Sequence, residues 1–314
     1  MRLSEPETIH SLAMVALPVF VAWMGYGVPA ALLVTLAMAG AGVVIRLRGL
    51  TAPGDHGRIE LHTISYSHYV EKVRWCLDRT GLRYTEVANV GILGLVLGAR
   101  TVPLLVLPAS RTSIGDSPQI LRFLWGSTSV SLPPDRRRFL EPTAEAIALE
   151  RRFDTVLGVQ VRVWSYWHLL QQRDLTLEMW GGHEPSVPSW QRTLLPVLQP
   201  ALAALLRRML GVTDASAAAG LAATKDIFAE VDAMLADGRR YLLSGTEISF
   251  VDITFASLAA LALFPDGYGG DGVSIHAAPL DRLAPAWRTE VETLRATPAG
   301  RFVMRLYAEE RRRA

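Results

Sequence analysis

Chemistry in this sequence has few places to sit. Ser67 stands at the head of a helical pattern, flanked by Tyr66 and Tyr69. Asp116-Ser117 heads a second one, and Pro118 follows at the position proline prefers in a first helical turn. A helix start gathers unpaired N–H groups and the positive end of the dipole, so a carboxylate fits there. The plain alternative at both places is an N-cap, which uses the same residues. Val102-Pro103 precedes an apolar run, where a proline can open an edge strand. Trp164-Ser165-Tyr166-Trp167-His168 is dense in aromatics and suits either an apolar pocket or a packed core helix. Ser249-Phe250-Val251-Asp252 is a capping box with Asp in the usual Glu/Gln position, and Ile248 and Ile253 flank it at the staple positions. Ser249 and Asp252 are therefore read as structural.

Composition removes several classes of function. The chain has 314 residues with 32 basic and 30 acidic side chains, net +2, which lacks the basic excess of a nucleic-acid binder. Arg136–Arg138 and the tail Arg311–Arg313 read as solvated helix ends. The one cysteine, Cys76, excludes an internal disulfide framework and a cysteine metal cluster. It falls on an apolar helix face and is expected to be a buried structural thiol. The seven histidines show no HExxH-type spacing, so no metal is expected.

Half of the residues are hydrophobic and only 20% are charged. The excess is concentrated in Ser11–Ile45, 35 residues without a charged side chain. One straight helix of that length would run roughly 50 Å, well past a hydrocarbon core of about 30 Å. Gly25-Tyr26-Gly27-Val28-Pro29 breaks the run, so a transmembrane helical hairpin is predicted, about Ser11–Met24 and Pro29–Leu47. One span with an interfacial helix is the rival. The run is too long for a signal-peptide core. Arg46, Arg48 and Arg58 at its exit put that side in the cytoplasm. Residues 1–50 are thus a membrane anchor and 51–57 a turn-rich linker.

Alternation over Ile59–Ile64 predicts a strand. Tyr69–Thr80 predicts a helix with Tyr69, Val70, Val73, Cys76 and Leu77 on its apolar face, closed by Gly81. Glu71, Lys72, Arg74 and Asp78 lie off that face. Strands are expected at Arg83–Ala88, Leu104–Leu107 and Thr112–Ile114, with a helix capped by Ser117. The order β-α-β then β-β-α over residues 58–126 is a thioredoxin-like α/β layout. From 133 to 314 long helical patterns take over, so an all-α domain follows. A separate helix is not predicted between Arg173 and Ser189, and Glu178–Ser189 reads as a loop.

Three pieces in order, Ser67–Trp75, Thr101-Val102-Pro103 and Gly115–Leu121, resemble the N-terminal domain of cytosolic-type glutathione transferases. Tyr241–Gly245 with the Ser249/Asp252 box resembles that family's folding motif. The resemblance implies a cis bond before Pro103 that frees the Val102 backbone to pair with the peptide of glutathione. It implies that Asp116 and Ser117 hold the γ-glutamyl end. It implies that Ser67 is the catalytic hydroxyl that favours glutathione thiolate, with Tyr66 or Tyr69 as alternatives. His68 stands where the family often has proline. Since neither Ser67 nor Val70 is a cysteine, disulfide exchange is not expected.

The expected function is a membrane-anchored glutathione transferase-like enzyme facing the cytoplasm, adding glutathione thiolate to a small hydrophobic electrophile, or a related peroxidase or isomerase step. Trp164, Tyr166, Trp167 and His168 are the candidate co-substrate pocket. Membrane lipid and a second copy in a homodimer are the candidate partners, with no nucleic acid. A non-catalytic binding or scaffold module on the same fold, or a different low-molecular-weight thiol, is the alternative.

Overall fold

The computed structural model describes residues 59–311 except 65, 91–101, 108–109, 111, 129–131, 244–245 and 271–276, and before them only residues 29, 32, 33, 35, 36 and 40. The predicted arm Ser11–Met24, most of Pro29–Leu47 and the 51–57 linker lie outside the described residues.

Four strands form one sheet in the order β2-β1-β3-β4. They are β1 (Ile59–Ile64), β2 (Tyr84–Asn89), β3 (Leu104–Leu107) and β4 (Thr112–Gly115). β1 runs parallel to β2, while β3 is antiparallel to both β1 and β4. The crossover between β1 and β2 is α1 (His68–Thr80), and α2 (Ser117–Thr128) follows β4. α1 stops at Gly81, whose φ of 71° is left-handed and whose N–H donates to the Asp78 carbonyl.

After a single turn at Pro134–Arg137, the chain is helical. α3 (Ala144–Arg152) runs through a π-helical turn, Phe153–Leu157, into α4 (Gly158–Leu169). Then come α5 (Arg173–Met179), α6 (Ser189–Leu210), α7 (Asp214–Leu235), α8 (Phe250–Leu263), α9 (Pro285–Arg295) and α10 (Pro298–Glu309). α5 was not legible as a helix; at seven residues it is too short to show a period. This is a thioredoxin-like sheet domain followed by a helical domain.

α8 is the hub, because all 14 of its residues are buried. Its start is the predicted box: the Ser249 N–H donates to Asp252 Oδ2 at 2.7 Å, and Asp252 Oδ1 accepts the Leu242 N–H at 2.7 Å. Its end is left-handed at Phe264, φ 48°, and Arg295 donates to the carbonyls of Leu263 (2.7 Å) and Phe264 (2.6 Å). Those carbonyls have no helical partner, so the guanidinium closes the helix.

One apolar cluster runs from Leu61, Val70 and Val73 through α8 to Leu306, joining the two domains. That changes the reading of α1. Glu71, Lys72 and Arg74, expected off its apolar face, are wholly buried. The helical domain covers the polar side of α1 and neutralises it with ion pairs. Lys72 meets Glu150 and Asp154, both at 2.8 Å. Arg74 meets Glu71 at 2.8 Å and Glu86 at 2.6 Å. The tail is corrected for the same reason. Arg311 is 2% exposed rather than solvated, and it bonds Glu71 and Asp78. Cys76 is free and buried, and burial pushes its thiol up to about 12, which leaves it inert.

Candidate functional site

The sheet itself brings the singled-out residues together. β1 and β4 are both antiparallel to β3, so they run in the same direction. Each continues at its C-terminal end into a helix, so α1 and α2 both open at one end of the sheet. β3 begins at that end, with Leu104 opposite both His62 and Gly115. The register therefore sets Val102-Pro103 at the edge where Ser67 and Asp116-Ser117 also lie. The Val102–Pro103 peptide bond is cis.

Ser67 is the N-cap of α1, and its Oγ accepts from the Val70 N–H at 3.4 Å. That bond uses a lone pair, so the hydroxyl proton stays free to donate. The two tyrosines differ. Tyr69 Oη donates to the Asp154 carbonyl at 2.7 Å, so its proton is already committed. The Tyr66 hydroxyl is buried and has no hydrogen-bond partner among the described residues. Its ring stacks on Tyr268, centroids 4.5 Å apart, and burial pushes its phenol well above the ordinary range. It remains a protonated donor at any ordinary pH. His68 is buried and fixed by a 2.8 Å bond to the Gly158 carbonyl. A carbonyl only accepts, so Nε2 carries the proton. Burial first, then the nearby Arg162, pushes His68 down to about 3.

At the second helix the cap differs from expectation. α2 begins at Ser117, and the Asp116 carbonyl accepts from the Ile120 N–H at 3.1 Å. Asp116 itself is exposed with a left-handed φ of 66°. The Ser117 hydroxyl is fully buried and has no hydrogen-bond partner among the described residues. A buried hydroxyl left unpaired is costly, typically about 1–3 kcal/mol, and an incoming acceptor would relieve it.

Beside Tyr66 lies a small apolar cavity of about 20 Å³, walled by Ile64, Tyr66, Tyr166, Trp180, Phe264 and Trp287 among others. It holds about one water-sized sphere as it stands. Of the four aromatic candidates, Tyr166 lines it. Trp164 is 2% exposed and packs in the core. Trp167 faces outward, its Nε1 donating to Asp214 at 2.8 Å. His168 stacks on Trp287 with centroids 5.0 Å apart, behind the cavity wall. Burial pushes His168 down to about 4, so it stays neutral. Trp287, Trp180 and Phe264 were missed as lining, because they come from segments far apart in the chain. Arg162 was missed too. It is a half-buried cation on α4 whose field reaches His68, Tyr69 and Tyr166. Its helical spacing from Tyr166 and Tyr69's distant position gave no local signal. Among the described residues no group of His, Cys, Asp and Glu could hold a metal ion.

With that geometry in hand, comparison with known proteins is informative. Residues 61–127 match the family model described as the glutathione S-transferase N-terminal domain. No curated protein matches the chain by sequence. Solved structures do match. A glutathione S-transferase from Methylobacterium radiotolerans in complex with glutathione sulfonate is 17% identical, covering 79% of this chain and 95% of that one, with a TM-score of 0.45. One from Ceriporiopsis subvermispora in complex with glutathione is 13% identical over 80% of this chain and 98% of that one, TM-score 0.47. A glutathione transferase from Phanerochaete chrysosporium is 16% identical over 81% and 97%, TM-score 0.50. Residues 61–127 thus match a glutathione S-transferase N-terminal domain, and sheet and helices together have the glutathione transferase fold.

Proposed function

We propose that the chain is a membrane-anchored glutathione transferase-like enzyme facing the cytoplasm. The observation that carries the reading is the buried, unpartnered Ser117 hydroxyl beside exposed Asp116 at the start of α2, on the same sheet edge as Ser67. A γ-glutamyl group offers the missing complement: its carboxylate would accept from Ser117 and the helix start, and its ammonium would meet Asp116. Val102, Pro103, Asp116 and Ser117 would together hold glutathione. Ser67 would donate its free proton to the sulfur and so favour thiolate. Arg162 adds positive potential in the same region. The thiolate would then attack an electrophilic carbon of a hydrophobic co-substrate, forming a C–S bond while a leaving group departs with its electron pair, or while the π pair of an activated double bond moves to the neighbouring carbon and takes up a proton.

The match of residues 61–127 to the glutathione S-transferase N-terminal domain model supports that ligand class for this site. The anchor reading rests on the uncharged Ser11–Ile45 run. Within it Leu32, Leu33 and Leu36 are helical and exposed, which fits a lipid-facing surface. Arg46, Arg48 and Arg58 support a cytoplasmic orientation. The small volume of the cavity favours the second reading, a binding module without turnover.

Calorimetric titration of the full chain with glutathione in detergent tests both. Binding weakened by Asp116→Ala, with turnover lost in Ser67→Ala, supports the enzyme. Binding without turnover leaves the module. No heat at millimolar ligand removes both.

A further inference from the structure

We propose that the outer face of α6 is a second membrane contact, which lies flat in the headgroup region of an anionic bilayer. The site that binds glutathione plays no part in the argument.

α6 is 22 residues long, about 33 Å, and by length and composition it could cross a bilayer. Its packing forbids that. Leu195, Leu202, Ala203 and Leu206 are buried against Leu170, Trp180 and Val187. Gln191 ties the first turn to the sheet, accepting from the Val90 N–H at 2.9 Å and donating to Asn89 Oδ1 at 2.9 Å. A helix held to the protein along one side can only present the other.

That other side is apolar. Pro196, Val197, Pro200, Ala204, Leu205 and Met209 are exposed at helical spacing, with Val197 at 77% and Met209 at 55%. From Thr193 to Leu206 there are 14 residues without a charge. Arginines stand at both ends, Arg192 before the stripe and Arg207 and Arg208 after it, and α6 contains no Asp or Glu. Arg173 joins them, donating at 3.0 Å to the Pro196 carbonyl, which has no helical donor because Pro200 lacks an N–H. Within α6 itself the charged residues flanking the stripe are all arginines, the pattern of a helix lying in a lipid interface, where arginines meet phosphates and the stripe enters the acyl boundary. The inference rests in part on the anchor proposed above, since the 35-residue uncharged run near the N-terminus would hold a bilayer close to the same chain.

The test uses the full chain with Val197→Cys carrying an environment-sensitive thiol dye. Cys76 is fully buried and stays unlabelled. Reconstitute into phosphatidylglycerol-containing vesicles and into pure phosphatidylcholine vesicles. Expected are quenching by acyl-chain spin labels and protection from aqueous iodide in the anionic vesicles, several-fold weaker in the neutral ones. A dye at Glu145→Cys, exposed on α3, should remain open to iodide in both. Adding Leu205→Glu, a change at an exposed position that leaves the core intact, should restore iodide access at 197. Free iodide access at 197 in anionic vesicles overturns the proposal. Protection at 197 that is equally strong in the neutral vesicles and survives Leu205→Glu also overturns it, and its dependence on protein concentration then tells a second copy from the chain's own N-terminal segment.

Discussion

Arg311 Nε donates to Glu71 Oε1 across 2.8 Å, and neither side chain is more than 1% exposed. The pair ties the end of the chain to α1, the helix that starts at Ser67. Glu71 also accepts from Arg74 at 2.8 Å and from the Gly269 N–H at 3.2 Å, so it is held from three directions. Gly270, at φ 74°, passes so close that a Cβ there would lie 2.5 Å from an Arg311 nitrogen. Removing one member of a buried pair strands the other's charge at about 3–5 kcal/mol. Arg311→Ala is therefore expected to lower unfolding free energy by about that much in urea titration. Adding Glu71→Gln should recover little, since Glu71 still neutralises the buried Arg74. An unchanged midpoint in the single variant would show that the tail is dispensable.

This pair also marks what sequence could and could not reveal. Strand and helix positions on both sides of Ser67 were readable, because Gly81, Pro103 and Ser117-Pro118 punctuate them and Leu104–Leu107 is a continuous apolar run. The capping box of α8 was readable because its residues lie three apart. Burial of Glu71, Lys72 and Arg74 was not, since their partners Glu86, Asp154 and Arg311 lie 12 to 240 residues away. Periodicity alone assigns charged positions to water. The cavity wall failed for the same reason: Tyr66, Tyr166 and Trp287 meet only in three dimensions.

Asp252 should be the most sensitive position in the helical domain. Its carboxylate accepts from the Leu242 and Ser249 N–H groups and the Ser249 hydroxyl, each at 2.7 Å, and it is fully buried. Asp252→Ala leaves two backbone donors unpaired in the core, at about 1–3 kcal/mol each. A thermal melt should therefore drop by many degrees, with loss of near-ultraviolet dichroism. Ser249→Ala, which spares both backbone bonds, should cost no more than about 1 kcal/mol.

The pH dependence of stability isolates His68. It stays neutral in the fold down to about pH 3, while an unfolded histidine gains its proton near pH 6.5. Below 6.5 the unfolded chain binds a proton that the native chain refuses. The native state therefore loses about 1.4 kcal/mol per pH unit from this one site as pH falls from 6.5 towards 3. Asp154 and Asp252, pushed up to about 6 by burial, act with the opposite sign between about pH 4 and 6. The clean measurement is thus a difference. His68→Gln keeps a donor for the Gly158 carbonyl and cannot titrate, so relative to the parent it should gain stability steadily as pH drops below 6.5. A constant difference between the two proteins from pH 7 to 4.5 would contradict a buried neutral imidazole.

Gly158, the first residue of α4, lies against Tyr69 of α1. A Cβ there would lie 2.4 Å from Tyr69 Oη and 2.8 Å from its ring. Gly158→Ala must push Tyr69 off the Asp154 carbonyl, at about 1–3 kcal/mol for overpacking. Tyr69→Phe removes the nearer atom, so the double variant should be more stable than the sum of the singles predicts. Additive losses would mean that the helices simply separate.

The three hydroxyls near the start of α1 can be told apart by their protons. Tyr69 has spent its own on Asp154. Tyr66 keeps one but sits in the cavity wall. Ser67 keeps one at the helix mouth. If Ser67 sets the thiolate, Ser67→Ala should raise the pKa of bound glutathione by about one unit and cut thiolate at neutral pH about tenfold. The thiolate's ultraviolet absorbance, followed against pH, reads this directly. Tyr69→Phe should leave that titration where it was. Tyr66→Phe should leave it too, while changing the affinity for co-substrates that carry a hydrogen-bond acceptor. A thiol titration that moves with Tyr66→Phe and ignores Ser67→Ala would transfer the role to the buried phenol.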